Sequence, residues 1–455
     1  MNSLLSGIKV LDFSEYIAGP YCGFLLADVG ADVIKIEPPD GAEERRLGSP
    51  VRYRGNTRMS LAFNRGKKSL SVDLKSEEGR SIVHELVKTA DVVVQNFVPG
   101  ASDRLGIDYD TLRAINPQII FLSSTAFGEV GPYRSRKGFD IIAHAASGIM
   151  SNYADGQAEP RGPGGLPYID ISTGIYNAFA IASALFHRLK TGEGQKIESS
   201  LFSTGMALQM IGLVNIDELD ESMTSHEREV LDDLPNSHKS HTDIIDEFAN
   251  ARLRSEQPDT ARPIEVPECS HRPTDLHVYP YYRTYRTASG YISIAALNTP
   301  QRKKLCELLA LEDPFQDMSF GSISDEAYFA QKRLMLQIEE SLKAESNDYW
   351  LEKLEAAGVP CGQVNYRPDM YEDPQANALG MLWQLENSDL GGYTTVGHPI
   401  RYSKTPVEPN RGAPTLGEDS RAVLLEQGYD QEQIDQWLEK GVIRVASKPD
   451  AQGTN

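Results

Sequence analysis

Only four cysteines occur in the 455 residues, Cys22, Cys269, Cys306 and Cys361, and all are far apart. No CxxC pair or zinc-ligand spacing is present, so the thiols offer no disulfide framework and no metal cage, and they fit a reducing compartment. Net positive charge is also missing. Against 45 Lys and Arg stand 65 Asp and Glu, a formal net charge of −20. That excess argues against wholesale binding to nucleic acid or to an anionic membrane surface. No uninterrupted apolar run reaches the length of a bilayer span. The N-terminal MNSLLSGIKV has neither the basic lead nor the long apolar core of a secretory signal. The expectation is a soluble cytoplasmic protein. A glycine fingerprint is absent too. The first βα turn reads SEYIAGPYCGFLL, with Gly19 and Gly23 four apart rather than GxGxxG. Without those glycines the backbone has no cradle for a pyrophosphate, and Glu37 alone does not make a nicotinamide site.

What is present is ample core. Hydrophobic residues make up 40% of the chain and charged residues 24%, the balance of a globular protein of two or three domains. Over the first 200 residues, short β-rich runs alternate with helical patterns. KVLDF (9–13), DVIKIE (32–37), SLSVDL (69–74), DVVVQNF (91–97) and QIIFLSS (118–124) read as strands. Between them PYCGFLLADVG (20–30) and a segment from Ser76 to Thr89 read as helices, Ser76 as N-cap with Glu77 and Glu78 in the first turn. This order predicts an α/β fold with a mostly parallel sheet covered by helices. Residues 215–275 are polar and acidic and read as a linker or insertion. Their His226, His238, His241 and His271 show no informative ligand spacing. A second folded unit begins near Tyr281, with a strand pair about Gly290, and helical patterns follow from Gln301 and from Asp325 to Ala357.

Two features carry chemistry. Between Arg45 and Lys75 lie Arg45, Arg46, Arg52, Arg54, Arg58, Arg65, Lys67, Lys68 and Lys75, with Asp73 the one acid. Such a block is either a solvated face or a site for a small polyanion carrying several phosphates. The other is Asp170, between the glycine-rich loop RGPGGLP (161–167) and the apolar run IYNAFAIASALFHRLK. With a helix starting near Ser172 or Thr173, Asp170 stands at its N-terminus. There it serves as a cap or as an ionised nucleophile, and the residues alone leave both open.

Several ordered blocks together resemble one family. They are GIKVLDFSEYIAGPYCGFLLADVGADVIKIEPP, NRGKKSLSVDLKSEEGR, DVVVQNFVPGASDRLGIDYDTLRAINPQIIFLSSTAFGEVGPYRSRKGFD, IDISTGIYNAFAIASALFHRLKTGEGQKIESSLF, GVPCGQVNYRPDMYEDPQANALGML and PTLGEDSRAVLLEQGYD. The chain resembles the class III CoA-transferases, which include formyl-CoA transferase and carnitine CoA-transferase, over most of its length except about 215–275.

The resemblance implies that Asp170, within D-x-x-T-G, is the nucleophile. It implies a coenzyme A site at Ile17 and Ala18, at Val72 to Lys75, at Asn96 and Phe97, and at Arg104 and Lys137. It implies no metal and no permanently bound cofactor. Coenzyme A and acyl-CoA are substrates, and a carboxylic acid is the second partner. The expected organisation is a large Rossmann-like domain over 1–214, the acidic insertion over 215–275, a smaller α+β domain over 276–390 and a C-terminal return to the large domain over 391–455. The expected assembly is a homodimer of interlocked rings. Two departures stand out. Pro38 occupies the position after KIE where the family often has an Arg, which leaves a basic residue from Arg45 onward to compensate. The glycine-rich loop of formyl-CoA transferases has no counterpart in the middle region, so the resemblance does not extend to formyl-CoA or oxalate as substrates. An α-methylacyl-CoA racemase is the competing activity. That branch carries His directly before the Asp matching Asp140, whereas Phe139 stands here, with His144 one helical turn on. A non-catalytic CoA-binding protein is the third reading.

Overall fold

Strands form where β-branched residues cluster, and the side on which each residue lands follows from the two-residue period of a strand. In the computed structural model these runs become β1 (Lys9–Asp12), β2 (Asp32–Glu37), β3 (Lys68–Val72), β4 (Val92–Gln95), β5 (Ile120–Thr125) and β6 (Lys196–Ser200). The structure describes residues 3–47, 56–152, 165–211, 213–214, 228–233, 244, 280–313, 325–409 and 411–446. Arg52, Arg54, Cys269, residues 161–164 of the glycine-rich loop and the four histidines of the acidic stretch lie outside them.

Alternation sorts the strand residues onto two faces. Leu11, Ile34, Leu70, Val93 and Phe121 join one core with Ile82, Leu86, Val423 and Ile434. Val10, Val33, Val92, Val94, Ile120 and Leu122 join the other with Cys22, Leu26, Ile181 and Leu185. Both faces are therefore covered by helices, which is why the strands are apolar throughout rather than alternating with polar residues. A fully buried Leu such as Leu86, with no exposed surface, contributes roughly 1.5–3 kcal/mol. Ser76 caps the helix Glu77–Val87 as its sequence predicts, its Oγ accepting the Gly79 N–H at 2.9 Å.

The second core belongs to a different sheet. β7 (Tyr282–Arg286), β8 (Tyr291–Ala295) and β9 (Cys361–Gln363) form an antiparallel sheet. Tyr285, Ile292 and Ile294 point inward and pack with Leu305, Ile338 and Leu354 of the helices Thr299–Leu308, Asp325–Leu342 and Asn347–Ala357. A hairpin follows, β10 (Leu382–Asn387) with β11 (Gly391–Val396), and β12 (Ile443–Arg444) ends the order. Two compact units result. One comprises Met1–Met150, Gly162–Gly212 and Asp373–Asn455, the other Ser151–Arg161 and Leu213–Glu372.

The large sheet has the order β12-β3-β2-β1-β4-β5-β6. β1 to β6 are mutually parallel, and β12 adds antiparallel to the β3 edge through Ile443 opposite Val72. This is the 3-2-1-4-5-6 order of a Rossmann-like sheet. Among the described residues, one helix, Tyr168–Thr191, is long and apolar enough to cross a membrane by length and composition. Reading for uninterrupted runs passes over it. It lies instead on the sheet, through Ile181, Ala184 and Leu185.

Candidate active site

Order reverses between β1 and β4, so the helices that follow these strands diverge and leave a crevice at the strands' carboxyl ends. Of the residues implied by the resemblance, Ile17 and Ala18 follow β1, Val72 ends β3 and Asn96 and Phe97 follow β4, all at that edge. Ile17 precedes the helix Ala18–Asp28 as its N-cap, and Ala18 is buried in its first turn. Asn96 and Phe97 follow β4. Both polar groups of the Asn96 amide hold the β1 turn: Nδ2 donates to the Glu15 carbonyl at 2.7 Å and Oδ1 accepts the Glu15 N–H at 2.8 Å. Phe97 is half-buried against the sheet's core and its N–H donates to Gln95 Oε1 at 2.7 Å. Val72 is buried at the end of β3, paired with Ile443 of β12. Lys75, Arg104 and Lys137 are exposed cations, Lys75 just after β3, Arg104 on the short helix Ala101–Leu105 and Lys137 on the loop before Asp140.

The basic block divides, and part of the polyanion reading is overturned. Arg45 is buried and grips Glu37 with Nε at 2.6 Å and Nη2 at 2.8 Å. Arg65 holds Asp28 at 2.6 Å and Lys67 holds Asp12 at 2.8 Å, both pairs buried. These three cations face internal carboxylates, because an unpaired charge beneath a sheet is too unfavourable to survive. Arg45 therefore does not replace the Arg missing at Pro38. Of the rest, Arg46 pairs with Glu43 at 2.8 Å and Lys68 with Asp32 at 3.0 Å, while Arg58 and Lys75 are exposed.

Asp170 is not a cap. The helix begins at Tyr168, and its N-cap, Pro167, offers no side-chain acceptor. Asp170 falls in the first turn, and Ser172 and Thr173 fall inside the helix, Thr173 donating to Thr204 Oγ1 at 2.8 Å. Gly174 lets this helix cross close to the β1 turn, for a Cβ there would lie 2.8 Å from the Ala18 carbonyl oxygen and 2.9 Å from Tyr21 Cβ. The helix that carries Asp170 thus touches Ala18 at the start of the helix that follows β1.

Asp170 is 9% exposed. Burial, and then the neighbouring Asp140 carboxylate, push its carboxyl up to about 7 from an ordinary 3.8. Asp140 sits in the first turn of the helix Asp140–Ala146. Its Oδ1 accepts the Asp170 N–H at 3.0 Å, and its Oδ2 lies 3.1 Å from Nδ1 of the buried His144. So His144 is bound to Asp140, and Asp140 to the main chain of Asp170. Replacing Asp140 by Asn removes the repulsive charge and leaves burial. The acidic limb of the pH profile of kcat/KM is then expected to move part of the way from about 7 toward the ordinary carboxyl range, measured with a saturating acceptor across pH 5–9.

The sequence names Asp140 only through the racemase comparison and does not place it beside Asp170, nor does it reveal the buried ion pairs. One signal was available for the latter: Lys35 inside the apolar strand DVIKIE has to meet a buried acid. For the contact between Asp140 and Asp170 the residues gave none, since 30 positions separate them.

The model of the family described as CoA-transferase family III matches residues 5–236 and 256–420. A succinate–glutarate CoA-transferase of Agrobacterium fabrum is 33% identical over 93% of this chain and 95% of its own. A human succinyl-CoA:glutarate CoA-transferase is 29% identical over 97% of this chain and 91% of its own. Among solved structures, a CAIB/BAIF family protein from Brucella suis superposes with a TM-score of 0.69 at 32% identity, covering 94% of this chain and all of that one. The match of family, relatives and fold along nearly the whole length establishes that this chain belongs to CoA-transferase family III and is an enzyme of that class.

Proposed function

We propose that the enzyme transfers coenzyme A by covalent catalysis at Asp170, between short dicarboxylic acids of the succinate and glutarate type. The observation that carries the mechanism is the buried Asp170 carboxyl, pushed up to about 7, on a helix whose Gly174 crosses close to Ala18 at the sheet's switch point. Such a group is ionised often enough near neutrality to attack, and its carboxylate is poorly solvated and so reactive. An Asp170 oxygen attacks the thioester carbonyl carbon, the C–S bond breaks, and coenzyme A leaves as thiolate, giving an acyl-aspartyl anhydride. The thiolate attacks the aspartyl carbonyl and releases the donor acid as carboxylate, giving an aspartyl-CoA thioester. The acceptor carboxylate attacks that thioester, expels the thiolate and forms the second anhydride. The thiolate then attacks the acceptor's acyl carbon and regenerates Asp170. Atoms and charges balance with the two substrates alone. The choice of acids rests on the activities of the relatives just described.

The proposed assembly is a homodimer. Support comes from the outer side of the helix Tyr168–Thr191, where Ile175, Tyr176, Phe179, Phe186 and Leu189 are exposed, Phe179 by 70% and Leu189 by 83%. A stripe of this kind on a water-soluble enzyme is ordinarily covered. The four dispersed thiols remain the support for a cytoplasmic location.

The test is the mass of the intact protein after incubation with succinyl-CoA. A hydroxylamine-sensitive adduct of coenzyme A mass, formed without acceptor and discharged by glutarate, is the expected result. Deuterium entering Cα of a 2-methylacyl-CoA in the absence of any acceptor acid, with no adduct, would instead establish proton transfer as the reaction.

A further inference from the structure

Four charged side chains with no exposed surface lie beneath the turn that follows β1: Asp12, Lys35, Glu44 and Lys67. The mechanism above uses none of them. Their bonds converge on the turn. Asp12 Oδ1 accepts the Ser14 N–H at 3.0 Å and the Ser14 hydroxyl. Lys35 Nζ donates to the Ser14 carbonyl and pairs with Glu44 Oε1 at 2.8 Å. Glu44 Oε2 accepts the Tyr16 N–H at 3.2 Å. Tyr16 has φ of +68°, one of two non-glycine residues with positive φ among the described residues. That conformation is unfavourable for a side chain with a Cβ and persists only when its surroundings impose it. Asn96 holds the adjoining Glu15 from the β4 side. The Tyr16 ring meets Phe139 edge-on at 5.1 Å between centroids, and Phe139 is the N-cap of the helix that carries Asp140.

We infer that Lys35 and Glu44 are positioning residues for the transfer reaction: their buried pair imposes the Tyr16 conformation and so sets where Ile17 and Ala18 stand for coenzyme A. The inference rests on the assignment of that turn to the coenzyme A site. A single feature makes Glu44 irreplaceable in this role. Its two oxygens serve three donors: Oε1 accepts from Lys35 Nζ and from Asn64 Nδ2 at 3.3 Å, and Oε2 accepts the Tyr16 N–H. Glutamine has one acceptor oxygen and one amino group, so it satisfies the donors on one side and opposes those on the other.

The experiment measures the affinity of the full-length protein for coenzyme A by calorimetry, with the thermal midpoint recorded for each variant. Glu44→Gln is expected to weaken binding at least tenfold. In a Tyr16→Gly background the same substitution is expected to weaken it less than threefold, because glycine adopts φ of +68° without being held there. Tyr16→Pro deletes the N–H and forbids positive φ while leaving the Lys35–Glu44 pair intact. It is expected to reproduce the tenfold loss, and it decides the matter if Glu44→Gln does not fold. A lowered midpoint with unchanged affinity, or equal losses in both backgrounds, would show the pair to be merely structural and overturn the inference. If the parent protein forms the covalent adduct yet the variants bind as it does, only this inference fails. If the parent neither binds coenzyme A nor forms the adduct, the site assignment fails and takes the inference with it.

Discussion

Replacing Asp170 by Asn is expected to lower kcat/KM for coenzyme A exchange by about 10⁴-fold or more, and to abolish the mass adduct. The amide is isosteric, the helix still starts at Tyr168 and the Asp170 N–H contact to Asp140 is a main-chain contact. The geometry therefore survives, and only the nucleophilic oxygen is lost. Steady-state rates with succinyl-CoA and glutarate measure the loss, and a variant within tenfold of the parent would remove Asp170 from the chemistry. The same substitution is expected to stabilise the fold, and the sign follows from linkage. The folded-state pKa lies at about 7, above the ordinary 3.8. A group raised in this way favours the folded state fully below the unfolded value and loses that advantage as pH rises through the folded value. Ionised Asp170 therefore opposes folding above pH 7. The Asn variant should gain nothing near pH 4 and up to about 4 kcal/mol above pH 7, since each unit of displacement corresponds to about 1.4 kcal/mol. Urea unfolding at pH 4.5 and 8 distinguishes the two regimes. Such a gain is the usual mark of a group kept for activity at the expense of stability.

Lys67→Met is expected to have the largest effect on stability, a loss of about 3–5 kcal/mol, read as a lower urea midpoint at unchanged slope. Lys67 Nζ donates to Asp12 Oδ2 at 2.8 Å, to the Pro20 carbonyl at 2.9 Å and to Asn64 Oδ1 at 2.9 Å. Its three donors are matched by three acceptors. Methionine fills the volume and leaves Asp12 buried with its strongest partner gone. Burial opposes the Asp12 charge, and Lys67 and Lys35 overcome that opposition and hold the carboxyl below its ordinary value. Removing both members, in Asp12→Leu with Lys67→Met, should recover part of the loss, because two missing charges are tolerated better than one. A double variant as unstable as the sum of the singles would show that the ions do not act as a pair.

These expectations show where reading the chain succeeds and where it stops. DVIKIE was legible as a strand to the residue, and β2 spans Asp32–Glu37. Ser76 was legible as a cap, because the hydroxyl and the N–H it accepts lie three residues apart. The helix at Asp170 was misjudged by about a turn. Tyr168 and Ile169 continue it upstream because Ile169 has a pocket with Ala18, Ala143 and Leu201, contacts that no local window contains. The basic block was read as one surface, yet the strand and helix geometry turns Arg45, Arg65 and Lys67 inward and others outward.

By itself, then, the sequence determined the alternation of strands and helices, the two-sided burial of the parallel sheet and the family blocks, since all of these depend on residue type at short spacing. Tertiary structure alone decided which charges neutralise one another, why Asp170 holds a proton near neutrality and how a strained turn is braced against the switch point. Those properties come from residues 8 to 81 positions apart meeting in a space without water, where desolvation sets the energies and the local pattern carries no record of it.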